Sequence, residues 1–519
     1  MQGGPHGQRW LVAAPLNKLS HRLGDCRRRL STMKVFESEV IVPGWLKNGS
    51  PLAGLQKAVV EACGKKAAPI RVAMVGKNRL GHVCEMEAIG GLASPKATLP
   101  SSVFDYRQRR SERTSSFNAV MLIPTGVDCA IGGHAGDATP AARLLASQVD
   151  HLIVHPNVVN ASDINEQAEN CLYAEGSLIC RLMMGTIGLQ KVRQNRVLLV
   201  TEERPDAPHV VDNTINCAEG ARATLGMDIQ DVVVLEEGLE MRTGVADSGR
   251  VTGAINGLQA LLEMLESKRG SYDAVALATR ITPHIDTVEL HRAYFGEGGP
   301  NPWGGVEAVL THTTSTVLDV PTAHAPTMSS EAIRTERWGI VEPRKAAEVI
   351  SSTYLFCVLK GLNRAPRVVT GVDGSYDPSM LTAEDVSALV IPDGCVGLPT
   401  LAAVEQGIPV IAVRNNTNLM RNDLAELPFR AGQLKFVENY YEAAGMLAAM
   451  RSGVSTSTLV RPMAPIRIER FSTAKAAKAA ANGKVTLSTN GNGKAKANGK
   501  ANGHANGHTN GHVASGSKA

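Results

Sequence analysis

Three observations predict an α/β fold, a doubly wound, mostly parallel sheet or pair of sheets with helices on both faces. Short apolar runs rich in valine and isoleucine recur from residue 118 onward. Most are continuous rather than alternating, the pattern of strands covered on both faces. Segments of helical composition separate them, as parallel strands require. The runs exit into polar loops, which is where ligands collect in open α/β sheets.

At 519 residues the chain has room for two or three domains and a sizeable core. No apolar stretch reaches the roughly 18 residues that span a bilayer, so no membrane span is expected. The formal net charge is +5, but the first 33 residues contribute +5 and residues 472–519 contribute +7, which leaves the body acidic, near −7. An acidic body argues against a nucleic-acid surface, where Lys and Arg must neutralise phosphates. Nine cysteines stand singly without a C-x-x-C, which excludes a disulfide framework and a zinc finger and points to a reducing compartment.

Residues 1–33 are Arg-rich and nearly free of acid, ending in Arg27-Arg-Arg-Leu-Ser-Thr-Met33, and lack the apolar core of a secretory signal. That composition reads as an organelle transit peptide, with the chloroplast stroma as the expected address and the mitochondrion as the alternative. Residues 34–116 read as a small accessory domain or a wrapped extension. They include a helix over 52–63, a strand over 70–75, a loop over 90–100 and a solvated charge run at 107–110.

The α/β core is expected over 117–470, as one body or as two lobes, 117–290 and 291–470. Its strands are read at 120–123, 152–154, 197–200, 232–235, 275–278, 308–310, 388–391 and 410–413. Helices are read at 141–148, 220–225, 257–267, 344–358, 401–406 and 440–450, with loops at 371–376 and 296–305, the second long enough for a lid. From 471 the chain is Ala, Lys, Asn and Gly with Asn-Gly-His repeats, a composition that predicts disorder.

The loop Ile131-Gly-Gly-His-Ala-Gly-Asp-Ala-Thr-Pro140 is the most informative stretch. Gly132, Gly133 and Gly136 permit close backbone approach, and Thr139 as N-cap with Pro140 behind it would start a helix. Amides and a helix N-terminus together suit phosphate or carboxylate, with His134 and Asp137 beside them. The pattern matches no named nucleotide motif. Other strand ends supply Thr125, then His155, Asn157 and Asn160, then Arg280, then Thr313, then Asp393, Arg414 and Asn415 as candidate substrate-binding groups. His312 and His324 suit general acid/base work near neutral pH, and Cys395, just ahead of a helix, is a candidate nucleophile or acid. No ligand spacing supports a metal site, and the sequence specifies no cofactor.

Leu122-Ile-Pro-Thr-Gly126, Ile131-Gly-Gly-His-Ala-Gly-Asp137, Ile153-Val-His-Pro-Asn-Val158, Val192-Arg-Gln-Asn-Arg196, Ala323-His-Ala-Pro326 and Gly361-Leu-Asn-Arg-Ala-Pro366 together resemble an uncharacterised domain-of-unknown-function family of oxygenic phototrophs. The resemblance runs from 118 to about 457. It implies a plastid setting but no chemistry. The expected function is therefore an enzyme, of isomerase, lyase or transferase type, acting on a small phosphorylated or carboxylated metabolite held at the Gly-rich loop. A non-catalytic metabolite sensor or assembly protein using the same pocket is the alternative, and a homo-oligomer is compatible with either.

Overall fold

The computed structural model describes residues 34–43, 50–64, 67–90, 102–283, 285–327, 333, 336–351, 353–372, 377–468 and 470. The leader read at 1–33, most of the loop at 90–100 and the tail from 471 lie outside them. Strands β1 (Lys34–Val42), β2 (Ala67–Lys77) and β3 (His82–Gly90) form an antiparallel sheet in the order β1-β3-β2. Helix α1 (Pro51–Cys63) links β1 to β2. The Ser50 side chain accepts from Ala53 N–H at its start, Gly64 ends it at positive φ, and Leu52, Leu55 and Val59 form its buried stripe.

The chain then runs through β4 (Asn118–Met121), α2 (Thr139–Ala146), β5 (His151–Val154), β6 (Cys171–Tyr173), α3 (Gly176–Met183) and β7 (Ile187–Gln190). Next come β8 (Val197–Glu202), α4 (His209–Leu225), β9 (Val232–Leu235), β10 (Glu240–Val245), β11 (Val251–Asn256), α5 (Leu258–Ser267), β12 (Ala274–Thr279) and β13 (Ile281–Thr282). Helices α6 (Thr287–Glu297) and α7 (Gly304–Leu318), strand β14 (Thr322–Pro326), helices α8 (Ala346–Ile350) and α9 (Tyr354–Asn363), and strands β15 (Arg367–Thr370) and β16 (Met380–Leu381) follow. The last elements are β17 (Val386–Pro392), β18 (Val396–Gly397), α10 (Leu398–Gln406), β19 (Val410–Val413), β20 (Leu434–Val437) and α11 (Tyr440–Arg451).

These strands make two parallel sheets. One has six strands in the order β20-β19-β17-β4-β5-β6, and the other four in the order β14-β12-β8-β9. The chain begins the first sheet, leaves after β6 to build the second, and returns at β17. Every residue of β8, β12 and β17 is buried, which is why these strands read as continuous apolar runs. Two small sheets, β11-β10-β13 and β15-β7-β16, border them, and β18 pairs with β2 to join the N-terminal sheet to the core.

Three readings are corrected. The apolar run at 308–310 is no strand but the middle of α7, eleven of whose 15 residues are buried. A short apolar run cannot separate a buried strand from a buried helix, and here the threonines decide. Thr313 and Thr314 donate to the carbonyls of Val309 (2.7 Å) and Leu310 (2.9 Å), so their hydroxyls are satisfied inside the helix. Glycine permits the close packing of α7 on β11, because a Cβ on Gly305 would stand 2.5 Å from Thr252 N. The helix read at 344–358 is broken: a 3-10 turn (Pro343–Lys345) leads into α8, Ser351 is extended, and the Thr353 side chain caps α9. Arg109 of the supposed solvated charge run instead donates to the carbonyls of Val386 (2.8 Å), Gln406 (3.0 Å) and Gly407 (3.2 Å).

The second compact unit starts at Ser457. The 3-10 turn Thr456–Leu459 runs into it, and Ile466 and Ile468 are exposed.

One buried charge cluster fixes the N-terminal sheet. Arg250, on the turn ahead of β11, donates to Glu37 of β1 and to Glu85 and Glu87 of β3, while Arg71 of β2 reaches Glu87 at 2.6 Å. Burial opposes charge on the guanidinium, but the three carboxylates outweigh it and raise the Arg250 pKa further. Removing one partner of such a cluster strands the others in the interior. We therefore expect Arg250→Met to destabilise the protein by about 3–5 kcal/mol in urea unfolding. A loss below about 1 kcal/mol, the scale of an exposed pair, would show that the cluster is not holding the sheet.

Candidate functional site

A cavity of about 1140 Å³ opens beyond the carboxyl ends of β4, β5 and β6 and of β12 and β14. Thr125 follows β4 into it, His155 and Asn157 follow β5, and Glu175 follows β6. Helices α4, α7 and α9 contribute further wall. No Lys or Arg lines it among the described residues. Four of its lining groups carry buried polar atoms without a hydrogen-bond partner among the described residues, namely Tyr173 Oη, His312 Nδ1, Thr327 Oγ1 and Ser351 Oγ. Unpaired buried polar atoms are costly and mark positions where a ligand finds ready partners.

Three carboxyl groups converge here, two of them paired with an imidazole. On α7, His312 Nε2 lies 3.2 Å from Glu175 Oε1, and Gly176 keeps the approach open, since a Cβ there would stand 3.1 Å from that nitrogen. The other Glu175 oxygen accepts the Ser177 N–H at 2.7 Å, which caps α3 and fixes the carboxylate. Also on α7, Glu307 lies 2.9 Å from His324 Nδ1, while His324 Nε2 is 2.9 Å from Thr279 Oγ1. Both ring nitrogens of His324 are thus engaged, and Glu307 is the more accessible of the two. His155 Nε2 accepts the Ile123 N–H at 3.2 Å; burial, with His312 nearby, lowers its pKa to about 4, so the ring is neutral at physiological pH.

Glu348 of α8 is the third. Its Oε1 accepts from Ala135 N–H (2.8 Å), Tyr294 Oη (3.0 Å) and Asn301 Nδ2 (3.3 Å), leaving Oε2 out of these bonds. Burial raises the carboxyl to about pKa 7 against the pull of these donors. Because Tyr294 donates to Glu348, it accepts from His134 Nδ1 at 2.6 Å, and His134 is likewise held neutral, lowered to about 4 by burial and by Arg344 and Lys345.

The glycine loop plays a different part from the expected one. Asp137 Oδ1 accepts the N–H groups of Gly132 (2.9 Å) and His134 (3.3 Å), and Glu348 takes that of Ala135. Those amides are filled from within. Gly132 and Gly136 sit at positive φ, and a Cβ on Gly133 would stand 2.4 Å from Cys129 O, so the glycines serve tight packing. Asn157 donates to Gly132 O at 2.7 Å, and Asn160 accepts from Gln167 N–H at 2.8 Å. Thr139 is the first helical residue of α2, and Ala138 occupies the cap without a side-chain bond.

Beside the loop runs a groove of about 1820 Å³ that shares Ala135 and Asn160 with the cavity and takes in Gly136, Asp137 and Thr139. Arg143, Lys191, Arg193, Arg344, Lys360 and Arg364 line it. Lys360 pairs with Glu166 and Arg344 with Glu342, whereas Arg143, Lys191, Arg193 and Arg364 have no side-chain partner among the described residues.

Six expected residues lie elsewhere. Arg280 pairs with Asp206, Thr313 is turned into its own helix, and Arg414 pairs with Glu438 at 3.0 Å over the Phe436 ring. Asp393 and Asn415 stand with Arg414 at the β17 and β19 ends, outside the cavity lining, and Cys395 is buried in the core there. Conversely, Glu175, Glu307, Glu348, Tyr294 and Asn301 were not singled out from the sequence. Glu175 follows a strand of only three residues, and Glu307 and Glu348 sit in helices without a motif.

Glu348 gives a pH signature. Its folded pKa of about 7 lies above the ordinary 4.5, so the native state keeps its proton longer than the unfolded chain. Wild type should therefore lose stability relative to Glu348→Gln as pH rises through that window, and the difference should level off above it. Thermal unfolding of the two proteins from pH 4.5 to 8 reads this directly; parallel curves would count against a buried, proton-holding Glu348.

A family model described as a protein of unknown function (DUF3326) matches residues 118–460. An uncharacterised lipoprotein from a Synechococcus strain is 33% identical over 347 residues, which cover 66% of this chain and 93% of that protein. No solved structure matches the chain. Both parallel sheets and the whole lining of the cavity fall within the matched residues. The chain thus belongs to the DUF3326 family, and the cavity is built from the part of it that defines the membership.

Proposed function

We propose that the protein is an enzyme that moves protons on a small anionic metabolite, with the reacting part of the substrate in the cavity and its phosphate or carboxylate in the adjoining basic groove. Glu348 carries the proposal. It is a cavity carboxyl fixed through one oxygen by three donors and poised near neutrality, the condition under which a group both takes and returns a proton. The His312–Glu175 pair supplies a second proton-transfer group in the same cavity. Two such groups suit an isomerase or lyase: Cys395 is buried away from the lining, and burial raises the pKa of Cys217, the cysteine that does line the cavity, which disfavours its thiolate. The four groove cations without a side-chain partner among the described residues, in a body that is otherwise acidic, favour an anionic anchor.

Thermal-shift screening against phosphorylated and carboxylated small metabolites tests this reading. A ligand should stabilise wild type, Arg143→Ala with Lys191→Ala should weaken that ligand at least tenfold, and Glu348→Gln should keep binding while turnover falls at least about 100-fold. Binding without turnover in wild type would make the protein a metabolite sensor instead. Failure of every anion to stabilise it would remove the groove from the site.

We further propose that the protein works in the chloroplast stroma. The relative is cyanobacterial, and the leader is Arg-rich and acid-poor. Residues 1–33 fused to a fluorescent protein should direct it into chloroplasts; cytosolic fluorescence would refute the address.

A further inference from the structure

We infer that Glu87, on β3 and ahead of the family-matched residues, is a positioning residue for His312, so that the N-terminal sheet completes the proton-transfer pair of the cavity. Glu87 Oε2 faces His312 Nδ1 at 3.6 Å, and each atom is buried with no other hydrogen-bond partner among the described residues. The distance is beyond a hydrogen bond but within reach of a small rotation of the ring. An orphaned carboxylate oxygen and an orphaned ring nitrogen cost least when they share a proton. The second nitrogen of the same ring meets Glu175 at 3.2 Å. His312 is therefore strung between two carboxylates, one inside the protein and one lining the cavity.

The proton balance gives Glu87 its role. With Nδ1–H directed at Glu87, the Nε2–Oε1 line to Glu175 carries one more proton, on the ring or on the carboxyl. That proton faces the cavity and is the one the pair can exchange. Glu87 keeps the imidazole in the orientation and protonation that make this exchange available, as an orienting carboxylate does for an imidazole base. Glu87 itself stays ionised. Burial opposes its charge, but Arg71, His312 and Arg250 together hold the carboxyl well below the usual range.

Every charged neighbour enters the test. Arg71 of β2, Arg250 ahead of β11, and Glu37 and Glu85 surround Glu87, while Glu175 and His155 face the ring from the cavity side. Two guanidiniums meet three carboxylates in the cluster, so Glu87→Gln leaves it balanced and should fold. Glu85→Gln makes the same charge change but does not touch His312. The inference rests on the cavity being a proton-transfer site, yet its first readout needs no substrate. In the full chain labelled with ¹⁵N-histidine, with His312→Asn used to assign the signal, the ring nitrogens report tautomer and titration midpoint.

Glu87→Gln should move the His312 midpoint to lower pH by at least about one unit and redistribute its tautomers; Glu85→Gln should leave both nearly in place. Should Glu87→Gln not fold, Glu87→Asp retains the charge at a greater distance and should move the midpoint in the same direction by a smaller step. An unchanged His312 spectrum in a folded Glu87 variant overturns the inference whatever the cavity does. Equal shifts in the Glu85 and Glu87 variants overturn it too, because they reduce the effect to cluster charge. A shift in the Glu87 variant alone, in a protein found to turn over no substrate, would uphold the positioning and reject the enzymatic reading.

Discussion

Three carboxylates cannot remain ionised inside a protein without a cation at their centre, and Arg250 is that cation for Glu37, Glu85 and Glu87. Much else depends on this arrangement. It locks β1 and β3 to the turn ahead of β11, on which α7 packs through Gly305. Helix α7 in turn carries both Glu307 and His312 into the cavity. The desolvation penalty is offset only while the carboxylates keep their cation, so the cluster acts as a geometric constraint more than as a source of net stability. A hydrophobic contact could attach the sheet equally well, but it would not set a charge beside the His312 ring.

The parallel core was legible in the sequence because its strands are buried on both faces. Val386–Pro392 and Ala274–Thr279 can hardly be read otherwise. Residues 308–310 misled for the same reason, since a helix buried nearly all round has the same composition as a buried strand. The site was half legible. Thr125, His155, Asn157, Asn160, His312 and His324 do line one cavity. Asp393, Arg414 and Asn415 also follow strands, but on the other half of the six-stranded sheet, and strand order is not written in any local pattern. Glu348 was invisible because its meaning comes from Ala135, Tyr294 and Asn301, which only the tertiary fold brings together.

The glycine loop shows how a motif can be functional without contacting a ligand through its own amides. Flexible backbone lets Asp137 turn back onto Gly132 and His134, and this internal carboxylate fills the place an anion would otherwise take. The loop thereby becomes stiff, and its next amide, Ala135 N–H, is delivered to Glu348. Asp137 is itself raised to about pKa 6 by burial, against the pull of those amides and of Arg344, so the brace carries an electrostatic cost. The loop expected to cradle a ligand is a strut beneath the Glu348 carboxyl.

Under the proposed function, the separation of anchor from chemistry follows from the same electrostatics. A Lys or Arg inside the cavity would draw the Glu348 carboxyl back toward its ordinary range and remove its ability to hold a proton near neutral pH. Among the described residues the cavity lining holds no such cation, whereas the groove across Ala135 and Asn160 gathers six of them. Under the proposed function, the groove would grip an anionic group while its cations stay outside the space around Glu348. The glycine loop borders both spaces through Ala135, and its amides at Gly132, His134 and Ala135 are all paired. The loop is thus best understood as the shared border at which opposite charge requirements coexist within one site.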